Sequence, residues 1–304
     1  MILTRKLKIV FVINPIAGTR SKNDIPELIR TLVDNNVFDK EIIFTEYAGH
    51  AEIIARECVT KGVDIVVAAG GDGTINEIGR NIVGTNTALG IIPLGSGNGL
   101  ARHLNIPLHI NEAILSFNQS AVTYIDYGKA NGHIFFCTCG VGFDAHIGHV
   151  FSTQKTRGFW TYFNSVLREF SHYRAKKYKL ITEKGKTKCR AFLITFANAS
   201  QYGNNAYIAP QADIQDGYVD ISILEPFPLY SVPFIGMNLF SKNIDKSRFV
   251  QIFKTNKVSL KRKKKGIFHF DGEPTQTGKK IEISIIHKGI KVFIPKNQAV
   301  IRFF

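Results

Sequence analysis

Short runs of consecutive apolar residues, separated by amphipathic stretches, organise the chain from Lys6 to about Tyr124. The runs are Ile9 to Ile13, Ile42 to Phe44, Ile65 to Ala69 and Leu89 to Ile92. Uninterrupted apolar runs are typical of strands covered on both faces, as in a parallel sheet. The alternation with amphipathic segments therefore predicts βαβ units and an α/β domain.

Three of the intervening segments carry helix signals. Apolar residues recur at helical spacing from Ile25 to Val33 and again from Ala51 to Val59, so each segment presents one apolar stripe. A third helix is predicted to open at Thr74. Thr74 and Glu77 have the spacing of a capping box, in which each side chain satisfies a backbone amide at the helix start.

The pattern changes after about Lys129 to strand candidates separated by turns, which predicts a second, mainly β domain with a sandwich-like fold. The candidates are His133 to Thr138, Arg190 to Ala197, Tyr218 to Leu224, Gly266 to Phe270, Ile281 to Ile286 and Ile290 to Ile294. One helix is predicted among them, with Phe159, Phe163, Val166, Leu167 and Phe170 on one face. We expect domains at 1–128 and 129–294, with 295–304 rejoining the first.

Composition narrows the class of protein. A length of 304 residues exceeds a typical single domain, and the four cysteines are too few and too scattered for a disulfide framework. The N-terminal apolar stretch is short and interrupted by Lys8, and no segment is apolar for long enough to span a membrane. We therefore expect a cytoplasmic protein.

The charge of the chain predicts an anionic partner. Its formal net charge is +15 at pH 7. Such an excess attracts nucleic acid, the acidic leaflet of a membrane or a polyphosphate, and charge alone does not choose among them.

The most informative segment leaves a predicted strand, turns on glycines and enters a predicted helix. It reads Ala69-Gly70-Gly71-Asp72-Gly73-Thr74-Ile75-Asn76-Glu77. Backbone amides at a helix start favour phosphate, and glycines let phosphate approach the backbone closely. A carboxylate beside phosphate is repulsive unless Mg²⁺ lies between them or the carboxylate positions a hydroxyl, so Asp72 indicates metal-nucleotide chemistry.

Two further small-residue loops follow predicted strands. Asn14 to Gly18 follows the first strand, Gly95 to Gly99 follows the fourth, and Thr45 ends the second. Ligands of parallel α/β sheets bind at the carboxyl ends of strands, so these loops are expected to converge on one crevice. Neither loop has the spacing of a P-loop ATPase or of a nicotinamide-binding fingerprint.

The chain resembles the diacylglycerol kinase catalytic-domain family, and in particular its bacterial lipid kinases, whose fold is shared with sphingosine kinases. The resemblance rests on motifs in family order: Asn14-Pro15 to Gly18, Gly70 to Glu77, Pro93 to Asn98, Ile125 to Lys129, Gly140 to Ala145, Asn198 to Gly203, Ala209 to Asp220 and Asp271-Gly272-Glu273. Gly95-Ser96-Gly97-Asn98 departs from the Gly-Thr-x-Asn common in bacterial members and is closer to the sphingosine-kinase form.

The resemblance implies a Rossmann-like nucleotide domain, a β-rich lipid domain and ATP in the cleft between them. It implies Glu273 as general base and Asp72 as a second catalytic residue. It also implies nucleotide contacts at Asn14, Pro15, Ile16, Ala17, Gly18, Thr45, Gly70, Gly71, Asp72, Gly73, Thr74, Ile75, Asn76, Glu77, Ser96 and Asn98. A structural Mg²⁺ is implied at Asp213, Asp216 and the backbone carbonyl of Tyr218.

The expected activity is ATP- and Mg²⁺-dependent phosphorylation of a lipid hydroxyl, with diacylglycerol as the favoured acceptor. A sphingoid base remains an alternative acceptor, and an NAD kinase shares the Gly-Gly-Asp-Gly motif. A nucleic-acid-binding module would explain the charge, but the chain has no recognisable nucleic-acid-binding motif, so we expect no nucleic-acid partner.

Two segments are candidates for contact with an anionic membrane surface. Lys261-Arg262-Lys263-Lys264-Lys265 is a basic run, for which a solvated loop is an equal alternative. Pro226 to Phe240 is uncharged and rich in aromatic residues, and core packing explains it equally well. We expect peripheral membrane contact and leave a homodimer open.

Overall fold

The structure is a computed structural model that describes residues 5–18, 22–152, 169–170 and 172–296. The chain forms two compact units. One contains the residues up to Ile125 together with those from Lys288 onward, and the other spans Asp126–His287. The predicted boundary after residue 128 stands close to this division and stays a prediction.

The N-terminal unit is built on four parallel strands: β1 (Leu7–Ile13), β2 (Phe38–Phe44), β3 (Ile65–Gly70) and β4 (Ala88–Pro93). Their order is β2-β1-β3-β4. Ile13 pairs with Phe44 and Ala69, and Gly70 pairs with Pro93, so all four strands end at the same edge. β3 and β4 are buried along their whole length, whereas β2 has alternating exposure because it lies at the edge of the four.

Five helices connect or follow these strands: α1 (Ile25–Leu32), α2 (His50–Thr60), α3 (Asp72–Ile82), α4 (Gly99–His103) and α5 (Ile110–Ser116). The predictions of α1 and α2 are confirmed. The predicted start of the third helix at Thr74 is wrong, because α3 begins at Asp72 with Gly71 as N-cap and no side-chain cap. Thr74 and Glu77 make other hydrogen bonds, described below.

The C-terminal unit contains two antiparallel sheets. The strands that follow β4 are β5 (Ser120–Ala130), β6 (His133–Phe135), β7 (Thr138–Gly142), β8 (Lys176–Thr182), β9 (Gly185–Ala191), β10 (Leu193–Ala197), β11 (Val219–Leu224), β12 (Val250–Thr255), β13 (Lys257–Arg262), β14 (Gly266–Phe270), β15 (Glu273–Thr277) and β16 (Lys280–Pro295). One sheet has the order β12-β11-β10-β7-β14-β15, and the other runs β16-β13-β8-β9.

A shared hydrophobic core joins the two sheets. Leu180 and Leu260 from one sheet pack with Phe196 and Phe268 from the other, and all four are buried. The predicted sandwich-like domain is therefore confirmed.

Strand boundaries differ from the prediction where the chain changes sheet. The predicted strand from Arg190 to Ala197 is two strands, because β9 and β10 belong to different sheets and Phe192 lies between them. Conversely, the segments Ile281 to Ile286 and Ile290 to Ile294 form one long strand, β16.

Among the described residues of the C-terminal unit, two segments are α-helical: α6 (Phe143–Ser152) and α7 (Val232–Phe240). Both contribute side chains to a second hydrophobic cluster, on the face of the six-stranded sheet that points away from the other sheet. The helix predicted around Phe159 to Leu167 lies outside the described residues. Phe170 is described and packs against Phe143 and Phe192. Among the described residues, no helix combines the length and the apolar character needed to cross a bilayer.

Candidate nucleotide and acceptor sites

Direct contacts join the loops that follow β1, β3 and β4. The Asn14 side-chain amide donates a hydrogen bond to Thr74 Oγ1 at 3.1 Å, which links the first loop to α3. At Gly18 (φ +61°), a Cβ atom would lie 2.1 Å from the Leu94 carbonyl oxygen, so only glycine allows this approach. The structure therefore brings together the loops that the sequence placed at one edge.

Asp72 connects α3 to the loop after β4. One carboxylate oxygen accepts the backbone N–H of Asn98 at 2.9 Å, and the other accepts that of Gly99 at 2.8 Å. Burial raises the pKa of Asp72, and these two N–H donors offset part of that rise. The side chain thus braces two loops against each other, which the sequence did not predict.

Asn98 closes the loop after β4 on itself. Its side-chain oxygen accepts the Gly95 N–H at 3.0 Å, and its side-chain amide donates to the Gly95 carbonyl at 2.7 Å. Gly95 packs against the loop after β3, where an added Cβ would lie 2.7 Å from the Gly71 Cα atom. The two loops therefore touch through their backbones.

The other predicted nucleotide residues fall into three groups. The backbone N–H of Thr45 donates to the Ile13 carbonyl, and Glu77 accepts the Gly49 N–H at 3.2 Å, so both help shape the edge. Asn76 is buried, and its Nδ2 atom has no hydrogen-bond partner among the described residues. Pro15, Ile16, Gly73 and Ser96 are exposed.

This edge fits the polyphosphate of a nucleotide. Its loops offer small residues and backbone amides, and the carboxylate that would repel phosphate, Asp72, already accepts two N–H donors. Each oxygen of Asp72 accepts one backbone N–H, so the carboxylate has a structural role in this edge, and its predicted part in metal-nucleotide chemistry stays a prediction.

Glu273 lies directly after a tight hairpin turn. Asp271 (φ +48°) and Gly272 (φ +88°) form the two turn residues, and Phe270 pairs with Glu273 across the hairpin. Glu273 is the first residue of β15 and is exposed. An exposed carboxylate on a short hairpin is accessible to an incoming hydroxyl.

Asp271 fixes this hairpin to the bend between β6 and β7. Its carboxylate accepts three backbone N–H groups, those of Phe136, Cys137 and Thr138, at 2.8 to 2.9 Å. Its own N–H donates to the Thr138 carbonyl at 2.7 Å. The turn before Glu273 is therefore held at four points.

A polar cluster beneath the turn was missed by the sequence analysis. Asp144 Oδ2 lies 3.1 Å from each of Thr195 Oγ1, the Tyr202 hydroxyl and His269 Nε2. His269 is buried, and its Nδ1 accepts the Gly272 N–H at 3.4 Å, so Nε2 carries the proton donated to Asp144. The cluster supports the residue next to Glu273.

The sequence carried only a faint signal for this cluster. Asp144 and Tyr202 lie within motifs of the family resemblance, and His269 interrupts the apolar strand before Asp271. Nothing in their spacing indicates that residues so far apart in the chain meet.

The predicted magnesium loop holds a lysine. Lys254 Nζ lies 2.5 Å from Asp216 Oδ2 and 3.7 Å from Asp220 Oδ2. Asp213 and Asp216 also accept backbone N–H groups within the loop. Burial raises the pKa of Asp220 to about 6, and Lys254 lowers it in part.

Lys254 therefore neutralises part of the negative charge of this loop, and the Mg²⁺ site predicted at Asp213, Asp216 and the Tyr218 carbonyl stays a prediction. In the described part of the chain, no three Asp, Glu, His or Cys side chains come together as a group able to hold a metal ion. The loop is also tied to β5, because buried Asp126 accepts the Gly217 N–H at 2.6 Å and lies 3.0 Å from His287 Nδ1.

The basic run contains one residue with a structural role. The Arg262 guanidinium donates to the carbonyls of Ile267, Gly266, Thr277 and Gly278 at 2.7 to 3.0 Å. It therefore joins β13 to the β14–β15 hairpin. The lysines at 261, 263, 264 and 265 remain candidates for contact with an anionic surface.

Comparisons with known proteins agree on the family. Residues 8–130 match the model of the diacylglycerol kinase catalytic domain, and residues 137–292 match that of the YegS C-terminal NAD kinase beta sandwich-like domain. A probable lipid kinase YegS-like of Pseudomonas aeruginosa is 30% identical over 258 residues, which covers 84% of each chain. A relative of the same name from Yersinia pestis is 27% identical over 294 residues, covering 92% of this chain and 95% of its own.

Solved structures show the same fold. A putative diacylglycerol kinase from Bacillus anthracis superposes with a TM-score of 0.79 at 23% identity, over 97% of this chain and 99% of its own. An NAD kinase from Archaeoglobus fulgidus, solved in complex with ATP, has a TM-score of 0.52 at 12% identity, over 96% of this chain and 95% of its own.

Proposed function

Because this chain belongs to the YegS-like lipid kinases of the diacylglycerol kinase family, we propose that it transfers the γ-phosphoryl group of Mg·ATP to the hydroxyl of diacylglycerol, giving phosphatidic acid. Membership of the family establishes the fold and the lipid-kinase class. We propose in addition that ATP is the phosphoryl donor, that Mg²⁺ is required and that diacylglycerol is the acceptor. Mg²⁺ enters with the nucleotide as the counterion of its phosphates, and no step is assigned to a metal held by the protein.

The contacts among the three loops carry this proposal. Hydrogen bonds join loops that follow different strands: one connects Asn14 with Thr74, and another connects Asp72 with Asn98. Loops held in this way present their backbone amides in fixed positions, which stabilises the charge that develops during phosphoryl transfer. The N-terminal unit is therefore assigned to the nucleotide.

Glu273 is assigned the proton of the attacking hydroxyl. The oxygen of the acceptor hydroxyl forms a bond to the γ-phosphorus, while the hydroxyl proton passes to the Glu273 carboxylate. The bond between the γ-phosphorus and the β-phosphate oxygen breaks, and ADP leaves. Support comes from the exposure of Glu273 and from the rigid turn that Asp271 anchors beside it. The C-terminal unit is therefore assigned to the lipid.

Incubation of the purified protein with Mg·ATP and a panel of acceptors, followed by mass spectrometry, tests the proposal. The panel contains water-soluble dioctanoylglycerol, a sphingoid base and NAD. Phosphatidic acid from dioctanoylglycerol is expected. Phosphorylation of the sphingoid base alone or of NAD alone would overturn the assignment of diacylglycerol as the acceptor. Absence of a phosphorylated product with every acceptor would overturn the kinase assignment.

Glu273→Gln tests the assigned base. The substitution keeps size and removes proton acceptance, so kcat should fall with little change in the KM for ATP. The loss is expected to be below a full general-base effect of ~10²–10⁴-fold, because phosphoryl transfer is loose. Glu183→Gln, at another exposed glutamate, is the control. Wild-type kcat in Glu273→Gln would show that another group accepts the proton.

The same proposal places the protein in the cytoplasm, at the membrane surface where its acceptor resides. Peripheral binding to anionic lipid is consistent with the net charge of +15. We propose no nucleic-acid partner. Whether the protein forms a homodimer is tested by measuring its molecular mass in solution, alongside the vesicle-binding experiment described in the next subsection.

A further inference from the structure

Helix α7, which comes from one of the two segments predicted to contact a membrane, and a row of lysines that includes Lys261 of the basic run lie on opposite outer faces of the sandwich. Lys179, Lys188 and Lys261 are directly paired across β9, β8 and β13, and Lys261 also pairs with Lys280 of β16. Neighbouring Leu180 and Leu260 point into the core between the sheets, so this lysine row faces outward on the four-stranded side. A flat bilayer cannot touch this row and α7 at once.

Helix α7 covers the outer face of the other sheet. Ile235 and Leu239 pack inward against the cluster that also contains Ile147 of α6. The Leu239 carbonyl accepts the Tyr207 N–H at 2.8 Å, which anchors the end of the helix. Within the described ranges, the contacts that hold the helix in place therefore come from one of its sides.

The other side of α7 is apolar and exposed. Phe234 and Met237 are each 62% exposed and Phe240 is 56% exposed. Leu229 and Tyr230, in the turn just before the helix, are 70% and 69% exposed. The spacing of Tyr230, Phe234 and Met237 places these residues on one face. A solvent-exposed patch of five large apolar side chains is typical of a surface that binds an apolar partner.

The charge around this apolar face favours a lipid surface as that partner. No acidic residue occurs between Pro226 and Ile244. Lys242, Lys246 and Arg248 follow the helix and are exposed. Apolar side chains beside cations are the combination that binds the interface of an anionic bilayer.

Helix α6, which shares the cluster with α7, also reaches the turn before Glu273, because a Cβ added at Gly148 would lie 3.3 Å from the Gly272 carbonyl oxygen. The α7 face therefore belongs to the same layer of helices that packs beside this turn.

We propose that the face formed by Leu229, Tyr230, Phe234, Met237 and Phe240 inserts into the surface of an anionic bilayer, and that the lysine row on the opposite face does not contact it. This inference rests on the proposed lipid-kinase function. It assigns the membrane contact to α7 rather than to the lysine row that includes Lys261.

Vesicle co-sedimentation of two matched double variants tests the proposal. Phe234→Ser/Met237→Ser removes apolar exposed side chains, and Lys179→Gln/Lys188→Gln removes charge from the opposite face. With vesicles of phosphatidylcholine and phosphatidylglycerol, the first variant should lose at least about ten-fold in partitioning. The second should retain most of its binding at physiological salt. Activity on water-soluble dioctanoylglycerol should be unchanged in the α7 variant.

A fluorescence measurement locates the contact directly. The natural tryptophan is replaced as Trp160→Phe, and a new one is introduced as Phe234→Trp or, for the control, Lys188→Trp. Brominated phosphatidylcholine within the same anionic vesicles should quench the tryptophan at 234 and leave that at 188 unquenched.

Loss of binding in the lysine variant alone, or quenching only at 188, would overturn the proposal in favour of the opposite face. Unchanged binding in the α7 variant would overturn it as well. A dimer that dissociates in the α7 variant, with vesicle binding retained, would assign the face to a second copy of the chain instead. Failure of the kinase assignment would appear separately, as no activity of the wild-type protein on dioctanoylglycerol.

Discussion

Aspartates stabilise the two candidate functional sites of this protein in different ways. Asp72 bridges two loops of the N-terminal unit, both of them predicted to contact the nucleotide, through the N–H groups of Asn98 and Gly99. Asp271 anchors one turn of the C-terminal unit to a bend that has no predicted ligand contact, through three N–H groups. Loss of the first should disturb the ligand site itself, whereas loss of the second should act only through Glu273.

Asp72→Ala should have the largest effect. Without the carboxylate, two backbone N–H groups lose their acceptor, each at a cost of about 1–3 kcal/mol if it stays unsatisfied. The loops after β3 and β4 then lose their fixed spacing, and activity should fall by at least about 100-fold. The rate of phosphoryl transfer measures the loss of activity, and urea unfolding measures the loss of stability. Near-normal turnover would show that the brace is dispensable for the nucleotide site.

Gly95→Ala breaks the same pair of loops without touching a carboxylate. The added Cβ would lie 2.7 Å from the Gly71 Cα and 2.9 Å from Asn98 Oδ1, so the loops must move apart. Overpacking of this kind costs about 1–3 kcal/mol. The KM for ATP should rise, and thermal unfolding should occur at a lower temperature. Gly278→Ala, where a Cβ would meet nothing within 4 Å, is the control.

Asp271→Asn should have a smaller effect. Asparagine tolerates the positive φ of 48° at this position, but it replaces one accepting oxygen by an amide donor. The expected loss of stability is about 1 kcal/mol, and kcat should fall several-fold while the KM for ATP stays constant. A raised KM for ATP would contradict the division of roles between the two aspartates.

The pH dependence of stability should show the smallest difference. The pKa of Asp72 is raised in the folded protein, so the native state binds this proton more tightly than the unfolded chain does. The resulting contribution to stability is present below the unfolded pKa near 4 and is lost as pH rises through the raised pKa. Relative to Asp72→Asn, wild-type stability should therefore fall as the pH rises above about 4 in urea titrations. A difference that grows with pH would contradict the raised pKa.

The sequence predicted the meeting of the nucleotide loops because parallel strands end at a common edge. The strand order then suffices to bring together the loops that contain Asn14, Asp72 and Asn98. It did not predict which atoms would pair. Thr74 and Glu77 have capping-box spacing, yet Thr74 accepts from Asn14 and Glu77 accepts from Gly49, because neighbouring loops offer these contacts.

The C-terminal unit was predicted less well for a physical reason. Its strands pair across long sequence separations, so the cluster of Asp144, Tyr202 and His269 depends on a topology that local patterns do not encode. The same holds for the contact of Lys254 with Asp216 and for Arg262, which the sequence shows only as a member of a basic run and which makes specific contacts in the fold.

The lysine row has a consequence for aggregation. β9 is the last strand of its sheet, and an edge strand presents unpaired backbone groups on which another chain can pair. Lys186, Lys188 and Arg190 lie along this edge. A second molecule that extended the sheet edge to edge would bring another row of like charges beside them. Repulsion between the two rows of like charge is therefore expected to oppose growth of the sheet at this edge.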